Sequence, residues 1–487
     1  MLLSELINNI ATVQVIGTQN DCEIKNITID SREAIGGNLF VAIKGFKTDG
    51  HKYVSQAISS GVSAVVVDDD SNISDQLFVK NKISKILVEN SRIALAELSN
   101  VFYNKPSQKL NLIGITGTKG KTTTSYYLKN IFESANQVTG LIGTNKNMIG
   151  DLEIPTKLTT PESNKINSLL SEMVSSNCSQ CVMEVSSHSL ELNRVDQLDF
   201  NVGVFTNITS DHLDFHQNFK NYLNAKKKMF DMLKPEAKII FNKDDRNYVE
   251  LLKDSKAEKI SYSMNTSADI KINNINYSLE GTQFELDYKG ESYQASTKLI
   301  GEFNAYNATA AFGAAIFSGV SISQAIEGIF STPQVPGRFE VLRSDDKTVI
   351  VDYSHTADSL EQALKAIRNI VHQNQQIITV FGCGGDRDKT KRPIMGNIAE
   401  KYSNQVYITS DNPRSEDPYE IIKDIENGFS DEDYKVIEDR DLAIKNAIEK
   451  SQDDSVVLIA GKGHETYQEI NGERFFFSDK ETAEKYL

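Results

Sequence analysis

The chain has 487 residues, enough for about three domains of about 150 residues each. An apolar content of 39%, a charged content of 24% and 9 prolines are typical of globular proteins and exclude disordered and fibrous classes. The net charge of −15 makes the chain as a whole a poor electrostatic partner for nucleic acid or for an anionic membrane.

The sequence gives no signal for a membrane or for secretion. Its apolar runs fall short of the roughly 18 residues that span a bilayer, and the first residues lack the basic region of a secretory signal. We therefore expect a cytoplasmic protein without membrane insertion. Cys178 and Cys181 form a lone C-x-x-C pair, without the second pair that a zinc site needs, so buried free thiols are the favoured interpretation.

The pattern of residues 1–108 predicts a first α/β domain. Strand patterns occur at Ser63–Asp68 and Lys85–Val88, and an amphipathic helical pattern occurs at Ser91–Tyr103. A polar, proline-bearing stretch, Lys105–Gln108, then precedes an apolar strand. We place the first domain boundary there.

Residues 109–335 alternate strands with helices, which indicates a parallel α/β sheet. The predicted elements are strands at 110–116, 181–185, 202–208 and 238–242, a helix after 121 and a helix at 219–233. Period-two strands with a Glu280–Gly281 turn then predict an antiparallel addition between Ile260 and Ile300. A helical pattern follows at Asn304–Phe317, and we place the second boundary within Pro333–Pro336.

Residues 336–487 alternate once more and predict a doubly wound, Rossmann-like unit. Strand patterns lie at 349–353, 377–381, 405–409 and 456–460, and helical stretches follow the first three. Asn471–Gly472 predicts the turn of a closing hairpin. The sequence thus predicts a three-domain α/β protein with a central parallel sheet.

A glycine-rich loop between a predicted strand and a predicted helix is the strongest single motif. It runs from Gly114 to Thr123 as G-I-T-G-T-K-G-K-T-T. Glycines let backbone N–H groups surround phosphate oxygens, the helix N-terminus favours an anion, Lys121 adds a positive charge, and a threonine hydroxyl can bind Mg²⁺. The loop departs from the strict G-x-x-x-x-G-K-[ST] pattern, because Ile115 stands five residues before Gly120, where that pattern has its first glycine. The loop favours a nucleoside triphosphate site rather than a turn that binds nothing, but it does not identify the reaction.

Seven motifs together resemble those of one family. They are T-G-T-K-G-K-T-T from Thr116, M-E-V-S-S-H from Met183, T-N-I-T-S-D-H-L-D from Thr206, G-E-F-N-A-Y-N-A-T-A-A from Gly301, P-G-R-F-E from Pro336, G-C-G-G-D-R-D-K-T-K-R-P from Gly382 and D-N-P-R from Asp411. In order and spacing they resemble the Mur ligases, the ATP-dependent amide-forming enzymes of peptidoglycan precursor synthesis. The last three motifs resemble the branch that adds the third residue of the stem peptide.

The resemblance implies a fold and a reaction. The fold would be a central P-loop ATPase domain flanked by an N-terminal UDP-binding α/β domain and a C-terminal Rossmann-like domain that binds the amino acid. The reaction would join meso-diaminopimelate to UDP-N-acetylmuramoyl-L-alanyl-D-glutamate through an acyl phosphate. ATP and Mg²⁺ are the implied cofactors, the partners would be these small molecules, and a monomer is expected.

Amide formation concentrates negative charge in a small volume, so fixed cations and a divalent metal are needed. The resemblance implies catalytic roles for Lys121, Glu184, His212 and Lys226, and Mg²⁺ ligands from Thr122, Glu184, His212 and Lys226 as a carbamate. Taken alone, Glu184 and His212 could equally be a helix-cap partner and an ordinary loop histidine. Lys226 could be a solvated surface lysine, since Lys227 and Lys228 follow it.

Three binding sets also follow from the resemblance. The ATP site would include Gly117, Thr118, Lys119, Gly120, Lys121, Thr122, Thr123, Asn307, Arg338, Asp352 and His355. The UDP-substrate would contact Ser31, Phe46, Lys47, Thr48, Thr159, Thr160, Ser186 and Arg194. The meso-diaminopimelate site would include Arg387, Asp411, Asn412, Pro413, Arg414, Gly461 and Glu465. A guanidinium at Arg414 suits the distal carboxylate that lysine lacks, and Glu465 suits the distal ammonium.

Other classes of protein stay open at this stage. The sequence departs from the family pattern at Lys119, Leu158, Leu192, Ser354 and Ala357. Folylpolyglutamate synthetases, the ligase that adds the next dipeptide and L-lysine-adding relatives are the alternatives within the family. An ATPase that uses the loop as a switch is the alternative outside it, and it would hydrolyse ATP without a UDP-linked peptide.

Overall fold

The computed structural model describes residues 1–17, 21–45, 48–344, 346–372 and 374–487. The chain divides into two compact units. The first comprises Met1–Ala268 and Ala310–Ala325, and the second comprises Asp269–Thr309 and Ile326–Leu487. The division into 1–108, 109–335 and 336–487 is a different one and stays a prediction.

A small sheet covered by helices forms the N-terminal part of the first unit. Its elements are α1 (Leu3–Ile7), β1 (Gln14–Ile16), β2 (Asn26–Thr28), β3 (Asn38–Val41), a 3₁₀ turn (Gly50–Tyr53), α2 (Val54–Ser59), β4 (Ala64–Val67), α3 (Asp75–Asn81), β5 (Ser84–Leu87), α4 (Ser91–Phe102) and a 3₁₀ turn (Pro106–Lys109). The strand order is β1-β5-β4-β3-β2, and the strands are parallel except β1. The strands and helix predicted in this segment are confirmed as β4, β5 and α4. Strands β3 and β4 are buried throughout, as parallel strands covered on both faces should be.

A larger, mostly parallel sheet follows in the same unit. Its elements are β6 (Asn111–Thr116), α5 (Lys121–Ser134), β7 (Thr139–Ile142), β8 (Asn147–Ile149), β9 (Leu152–Ile154), α6 (Ser163–Ser175), β10 (Gln180–Glu184), α7 (Ser187–Glu191), β11 (Val202–Phe205), α8 (Leu213–His216), α9 (Phe219–Asp231), β12 (Lys238–Asn242), α10 (Tyr248–Leu251) and β13 (Glu258–Ser263). From β7 the order is β7-β10-β6-β11-β12-β13, all parallel. The glycine-rich loop therefore leaves the carboxyl end of a central strand, where open α/β sheets bind ligands.

The second unit begins with antiparallel strands and ends in another mostly parallel sheet. The elements from Asp269 onward are β14 (Ile270–Ser278), β15 (Gly281–Tyr288), β16 (Glu291–Thr297), α11 (Glu302–Ile316), α12 (Ile322–Ser331), β17 (Glu340–Arg343), β18 (Thr348–Asp352), α13 (Ala357–Ile370), β19 (Ile377–Phe381), α14 (Lys391–Tyr402), β20 (Gln405–Ile408), α15 (Pro418–Glu426), β21 (Tyr434–Val436), α16 (Arg440–Glu449), β22 (Val456–Ala460), β23 (Tyr467–Ile470), β24 (Glu473–Phe476) and α17 (Asp479–Tyr486). Of these, the parts of α11 and α12 within residues 310–325 belong to the first unit. The sheet order is β17-β18-β22-β19-β20-β21, with only the β17–β18 pair antiparallel among the described strands. The predicted hairpin turns at Glu280–Gly281 and Asn471–Gly472 are both found.

Strand β11 ends earlier than its apolar pattern predicts. The pattern runs to Ile208, but the strand stops at Phe205. The next two residues turn to the glycine-rich loop instead: the Thr206 hydroxyl donates to the Lys119 carbonyl at 2.7 Å, and Asn207 Oδ1 accepts from Lys119 N at 3.0 Å. The chain therefore leaves the sheet in order to support the loop.

Two expectations drawn from composition concern membranes and thiols. In the part of the chain that the structure describes, no helix has both the length and the apolar character needed to cross a bilayer. Cys178 and Cys181 are buried and carry free thiols, and burial raises the pKa of both.

His51 lies between two carboxylates in the first unit. Its Nδ1 is 2.6 Å from an oxygen of Asp49, and its Nε2 is 3.0 Å from an oxygen of Asp68. Asp68 also accepts a hydrogen bond at 2.9 Å from Ser91 N, at the start of α4. The hydrogen bond with Asp68 is the main cause that raises the pKa of His51, against the opposing effect of burial, and Asp49 adds to it.

We expect these contacts to stabilise the first unit most at mildly acidic pH. A histidine with a raised pKa contributes stability fully below its unfolded pKa of about 6.5 and loses it as the pH rises through the folded pKa. The fall in Tm caused by His51→Gln should therefore be larger at pH about 5.5 than at pH about 8.5. The exposed His372, in the second unit, offers His372→Gln as a control for the same change of side chain. An equal fall at both pH values would contradict the expectation.

Candidate active site

The glycine-rich loop has backbone angles that demand glycine. Gly117 and Gly120 have φ angles of +155° and +83°. A Cβ on Gly117 would lie 1.9 Å from Thr206 Oγ1, so no larger residue fits there. Helix α5 begins at Lys121, directly after the loop. The loop therefore places a helix N-terminus and closely approachable backbone at one point, as a phosphate site requires.

Two lysines converge on one carbonyl of this loop. Lys121 Nζ donates to Gly117 O at 2.9 Å and to Thr118 O at 3.0 Å. Lys226 Nζ, on α9, donates to the same Gly117 O at 2.8 Å and lies 4.7 Å from the ring centroid of Tyr222. Lys226 is 1% exposed. Its burial, and then the nearby charge of Lys121, lower the pKa of Lys226 well below its ordinary value.

The neighbouring lysines of α9 point elsewhere. Lys227 Nζ forms ion pairs of 2.6 Å with both Asp231 and Asp254, and Lys228 Nζ forms one of 2.7 Å with Glu191. Lys226 is thus the member of the run that reaches the loop. The structure removes the alternative that Lys226 is a solvated surface lysine.

Glu184 joins the ends of β10 and β7 to the first turn of α5 at the carboxyl edge of the sheet. It is the last residue of β10, and its Oε2 accepts hydrogen bonds from the hydroxyls of Thr122 and Thr144, both at 2.9 Å. Its Oε1 accepts from Thr144 N at 2.9 Å. Sequence reasoning missed Thr144 because it did not predict strand β7, although the apolar pair Leu141–Ile142 shortly before Thr144 was a usable signal. The Thr122 hydroxyl and the Glu184 carboxylate are hard oxygen donors of the kind that Mg²⁺ prefers.

His212 stands at the start of the short helix α8 with a positive φ of +53°. Its ring packs edge-on against His188, with 4.8 Å between centroids, and lies 6.4 Å from the Tyr222 ring. Partial burial lowers the pKa of His212, opposed by Asp211. A neutral imidazole of this kind can act as a metal ligand. Among the described residues, no preformed cluster of three or more His, Cys, Asp or Glu side chains could hold a metal.

Thr159, Thr160, Ser186 and Arg194, expected along the UDP-substrate, border the Glu184 region. The Thr159 hydroxyl lies 3.1 Å from Thr144 Oγ1, and the Thr160 hydroxyl donates to Glu184 O at 2.8 Å and accepts from Ser186 N at 3.0 Å. Arg194 donates to Thr160 O at 3.1 Å. These residues are brought together at one sheet edge.

Sequence reasoning missed Glu162, which holds Arg194 in place. Arg194 forms a 2.8 Å ion pair with one Glu162 oxygen, and Arg92, on α4, forms a 3.2 Å pair with the other. Glu162 follows the T-T-P letters at Thr159, so its position beside two candidate residues was the available signal.

Ser31 and Thr48, two further UDP-substrate candidates, lie in loops of the N-terminal sheet. Ser31 is buried and donates to Gln56 Oε1 at 3.1 Å, and the Thr48 hydroxyl lies 3.1 Å from Tyr53 Oη. Phe46 and Lys47 lie outside the described residues.

In the second unit, two ATP candidates surround the ring of Tyr353. Arg338 Cζ is 4.7 Å from the ring centroid, and the His355 ring packs edge-on at 4.6 Å. The His355 backbone is held by Lys391, whose Nζ donates to its carbonyl at 2.6 Å. A cation and an imidazole are therefore fixed beside one aromatic face.

Asp352 and Asn307 each form hydrogen bonds with nearby residues of the second unit. Asp352 ends β18, accepts from Phe339 N at 2.7 Å and accepts a hydrogen bond from the Ser354 hydroxyl. Burial raises the pKa of Asp352. Asn307 lies buried in α11 and donates to Asn304 Oδ1 at 3.2 Å.

A buried ion pair ties together the two loops expected to bind the amino acid. Arg392, fully buried, donates to both oxygens of Glu416 at 3.0 Å and to Asp424 at 2.9 Å. Glu416 also accepts from Asp386 N at 2.6 Å. The hydrogen bonds from Arg392 lower the pKa of Glu416 to about 2. Sequence reasoning missed this pair, although Arg392 is the last charged letter of the G-C-G-G-D-R-D-K-T-K-R-P motif.

Arg414 is held by its backbone and by its side chain. Its φ is +54°, its N donates to Glu469 O at 2.9 Å, and its Nη1 donates to Gly385 O at 2.7 Å. The loops that contain Gly385 and Pro413 are in close contact. A Cβ on Gly385 would lie only 1.9 Å from Pro413 O, so this contact requires glycine. Arg387 is exposed, and its Nη1 donates to Asp386 O at 3.3 Å.

Asp411, Asn412, Gly461 and Glu465 lie together where β20 and β22 end. Asn412 Nδ2 donates to Glu465 Oε2 at 2.9 Å. A Cβ on Gly461, whose φ is +120°, would lie 2.7 Å from Asp411 Oδ2. Burial raises the pKa of Glu465. The structure thus gathers most of the predicted amino-acid site, with Lys462 between its members, a residue that sequence reasoning passed over.

Models of three Mur ligase domains match the chain. The family catalytic domain matches residues 23–103, the middle domain matches 115–315, and the glutamate ligase domain matches 337–463. The chain belongs to the Mur ligase family.

Individual relatives narrow the comparison. A UDP-N-acetylmuramoyl-L-alanyl-D-glutamate--2,6-diaminopimelate ligase of Clostridium acetobutylicum is 42% identical over 490 residues, covering 100% of this chain and 99% of the relative. A solved structure of an enzyme with the same name is 31% identical, with a TM-score of 0.67, and covers 95% of this chain and 94% of its own. A MurF ligase from Thermotoga maritima in complex with ADP has a TM-score of 0.65 at 19% identity over 89% of this chain and 93% of its own, a likeness of fold alone.

Proposed function

We propose that the chain is an ATP-dependent ligase that adds meso-diaminopimelate to UDP-N-acetylmuramoyl-L-alanyl-D-glutamate. The products are the UDP-linked tripeptide, ADP and phosphate. The observation that carries the proposal is a phosphate loop backed by two lysines in a chain that also gathers Arg414 and Glu465 in a second loop cluster. Full-length similarity to diaminopimelate ligases supports the same conclusion.

The first step transfers the terminal phosphoryl group of ATP to the substrate carboxylate. The loop Gly117–Thr123, Lys119 included, binds the phosphates through backbone N–H groups, and Lys121 stabilises the charge that develops on them. A Mg²⁺ ion held by Thr122, Glu184, His212 and the carbamate of Lys226 would neutralise further phosphate charge. For Asn307, Arg338, Asp352 and His355 we propose the nucleotide contacts that the family resemblance implies.

Lys226 is suited to carry a carbamate. The lowered pKa of Lys226 favours its neutral amine, the form that attacks CO₂ to make an N–C bond with release of one proton. The product is an anion. A negative charge at this position is attracted by the Lys121 ammonium and supplies an oxygen ligand.

The UDP-linked substrate lies along residues of the first unit. Ser31, Phe46, Lys47 and Thr48 bind the uridine diphosphate end, and Thr159, Thr160, Ser186 and Arg194 bind the muramoyl-peptide end. Arg194 is fixed by Glu162, so its guanidinium is oriented before the substrate binds. In the second step the amine of the amino acid displaces phosphate from the acyl carbon.

Selectivity for meso-diaminopimelate rests on Arg414. The acid differs from lysine by one distal carboxylate, which a guanidinium can bind through two parallel hydrogen bonds. Arg387, Asp411, Asn412, Pro413 and Gly461 complete the site, and Glu465 binds the distal ammonium. Lysine would leave Arg414 without its carboxylate partner, so its rejection should be strong.

We expect the wild type to use meso-diaminopimelate and to give essentially no product with L-lysine. Arg414→Ala should raise KM for diaminopimelate by about tenfold or more, because a charge-assisted pair is lost. Arg343→Ala, which removes an exposed arginine paired with Glu280, is the control and should leave KM unchanged. Steady-state product formation measured by mass spectrometry checks both. Equal turnover of the two amino acids by the wild type would refute the assignment.

The same panel separates the alternative ligases. Product with L-lysine but not with diaminopimelate would indicate an L-lysine-adding enzyme, and product with a folate would indicate a folylpolyglutamate synthetase. We further propose a cytoplasmic monomer with domains 1–108, 109–335 and 336–487.

A further inference from the structure

Lys462 is a buried cation at the centre of the proposed amino-acid site. It lies two residues after β22 and is 0% exposed. Its Nζ lies 3.2 Å from Asn412 Oδ1, 3.7 Å from Asp411 Oδ1 and 3.6 Å from Glu465 Oε2. The Tyr467 ring covers another side, with its centroid 5.6 Å from Nζ. A lysine is almost never buried to this extent unless its charge is paired.

The contacts of Lys462 fix which way the Asn412 carboxamide faces. Asn412 Oδ1 accepts from Lys462 Nζ and from Glu469 N, the latter at 2.9 Å. Its Nδ2 must then face Glu465, to which it donates at 2.9 Å. A flipped amide would place an N–H group against an ammonium and a backbone N–H. Lys462 and the Glu469 backbone N–H group therefore together orient the Asn412 N–H group toward Glu465.

The two carboxylate oxygens of Glu465 have different hydrogen-bond partners. Oε2 takes the hydrogen bond from Asn412 and faces Lys462. Oε1 has a long hydrogen bond from the Tyr353 hydroxyl, at 3.5 Å. A substrate ammonium would bind at Oε1 with little to displace.

The charges support the same assignment. The carboxylates of Asp411 and Glu465 both face the single ammonium of Lys462. Of the two other cations nearby, Arg440 is paired with Asp479, and Arg414 is assigned to the distal carboxylate of the substrate. One negative charge therefore remains for a substrate ammonium. A single ammonium on the substrate is its complement. Without Lys462, burial and the mutual repulsion of the carboxylates would favour protonation of Glu465, and a neutral acid binds an ammonium poorly.

We propose that Lys462 is a positioning residue of the acceptor site, which orients Asn412 and keeps the Glu465 carboxylate ionised for the distal ammonium of the amino acid. The assignment rests on the proposed function. Lys462 acts through Asn412 and Glu465 and is not assigned a contact with the reacting atoms.

The pH dependence of the reaction reports this role. Burial raises the pKa of Glu465 and Lys462 is the first group that lowers it. The other groups around Glu465 are Asp411, Asn412, Arg414, Arg440, Tyr353 and Tyr467. Removing Lys462 should therefore move the acid limb of kcat/KM for diaminopimelate to higher pH.

The test compares Lys462→Met and Lys462→Gln with the wild type. Both variants should raise KM for meso-diaminopimelate by about tenfold or more, as expected for the loss of a buried charged hydrogen bond. KM for ATP and for the UDP-linked dipeptide should stay within about twofold. Lys480→Met removes another lysine of the same unit, which pairs with Glu340 at 2.7 Å, and should change neither KM nor the pH profile.

Three outcomes would overturn the assignment. The first is an unchanged KM for diaminopimelate together with an unmoved acid limb in both variants. The second is an equal rise in all three KM values, and the third is failure of both variants to fold; each of these would make Lys462 a structural residue. A wild type that ignores diaminopimelate would instead refute the proposed function itself.

Discussion

Replacing Lys121 by alanine is expected to lower the rate of ligation about a thousandfold, the loss typical of a fixed group that stabilises charge in the transition state. Lys121 begins α5, and its Nζ lies at the Gly117 and Thr118 carbonyls of the phosphate loop. Lys226, the other lysine at Gly117, is proposed to carry a carbamate, whose negative charge would not replace the missing ammonium. Product formation at saturating substrates measures the effect.

Lys129→Ala is the matched control for this variant. Lys129 lies on the same helix and forms an ion pair with Glu133, one turn away from it. Ligation by Lys129→Ala should stay within a few-fold of the wild type, and Lys121→Ala should keep the wild-type Tm. More than a few per cent of wild-type activity in Lys121→Ala would contradict the role of the loop.

Replacing Lys226 by alanine is expected to leave almost no ligation, with partial recovery on adding formate or acetate. A small carboxylate can fill the volume of a missing carbamate, whereas it cannot replace a lost ammonium. The buried, low-pKa amine of Lys226 is the form that reacts with CO₂. Activity titrated against added carboxylate measures the recovery.

Lys227→Ala controls for the general effect of shortening a lysine on α9. Lys227 pairs with Asp231 and Asp254 and does not approach the loop, so its variant should stay active and should not respond to carboxylates. Lack of recovery in Lys226→Ala, together with an unmodified Lys226 amine in a high-resolution map of the wild type, would contradict the carbamate.

Long buried strands were predictable from the sequence, and short exposed ones were not. Strands β12, β19 and β22 begin and end as their apolar runs predict, because strands covered on both faces are apolar throughout. Strands β1 and β9 have three residues each and are half exposed or more, so no period is visible in their letters. The predicted length of β11 was wrong because hydrogen bonds from Thr206 and Asn207 to the phosphate loop decide where the strand ends.

The sequence likewise predicted some residues of the candidate site and missed others. Motif letters located Lys121, Glu184 and Arg414, because each lies in a distinctive local string. Thr144 and Glu162 were missed because their roles depend on contacts across the sheet, with Glu184 and Arg194. Lys462 lies between Gly461 and Glu465, two predicted site residues, but only its burial among Asp411, Asn412 and Glu465 supports the role proposed for its charge.

Phosphate release with each substrate omitted in turn tests the central claim most directly. A ligase that forms an acyl phosphate should release phosphate from ATP at full rate only when the UDP-linked dipeptide and meso-diaminopimelate are both present, with one tripeptide formed per phosphate. Phosphate release at the same rate without the UDP-linked dipeptide would contradict the account and indicate an ATPase that uses its phosphate loop as a switch.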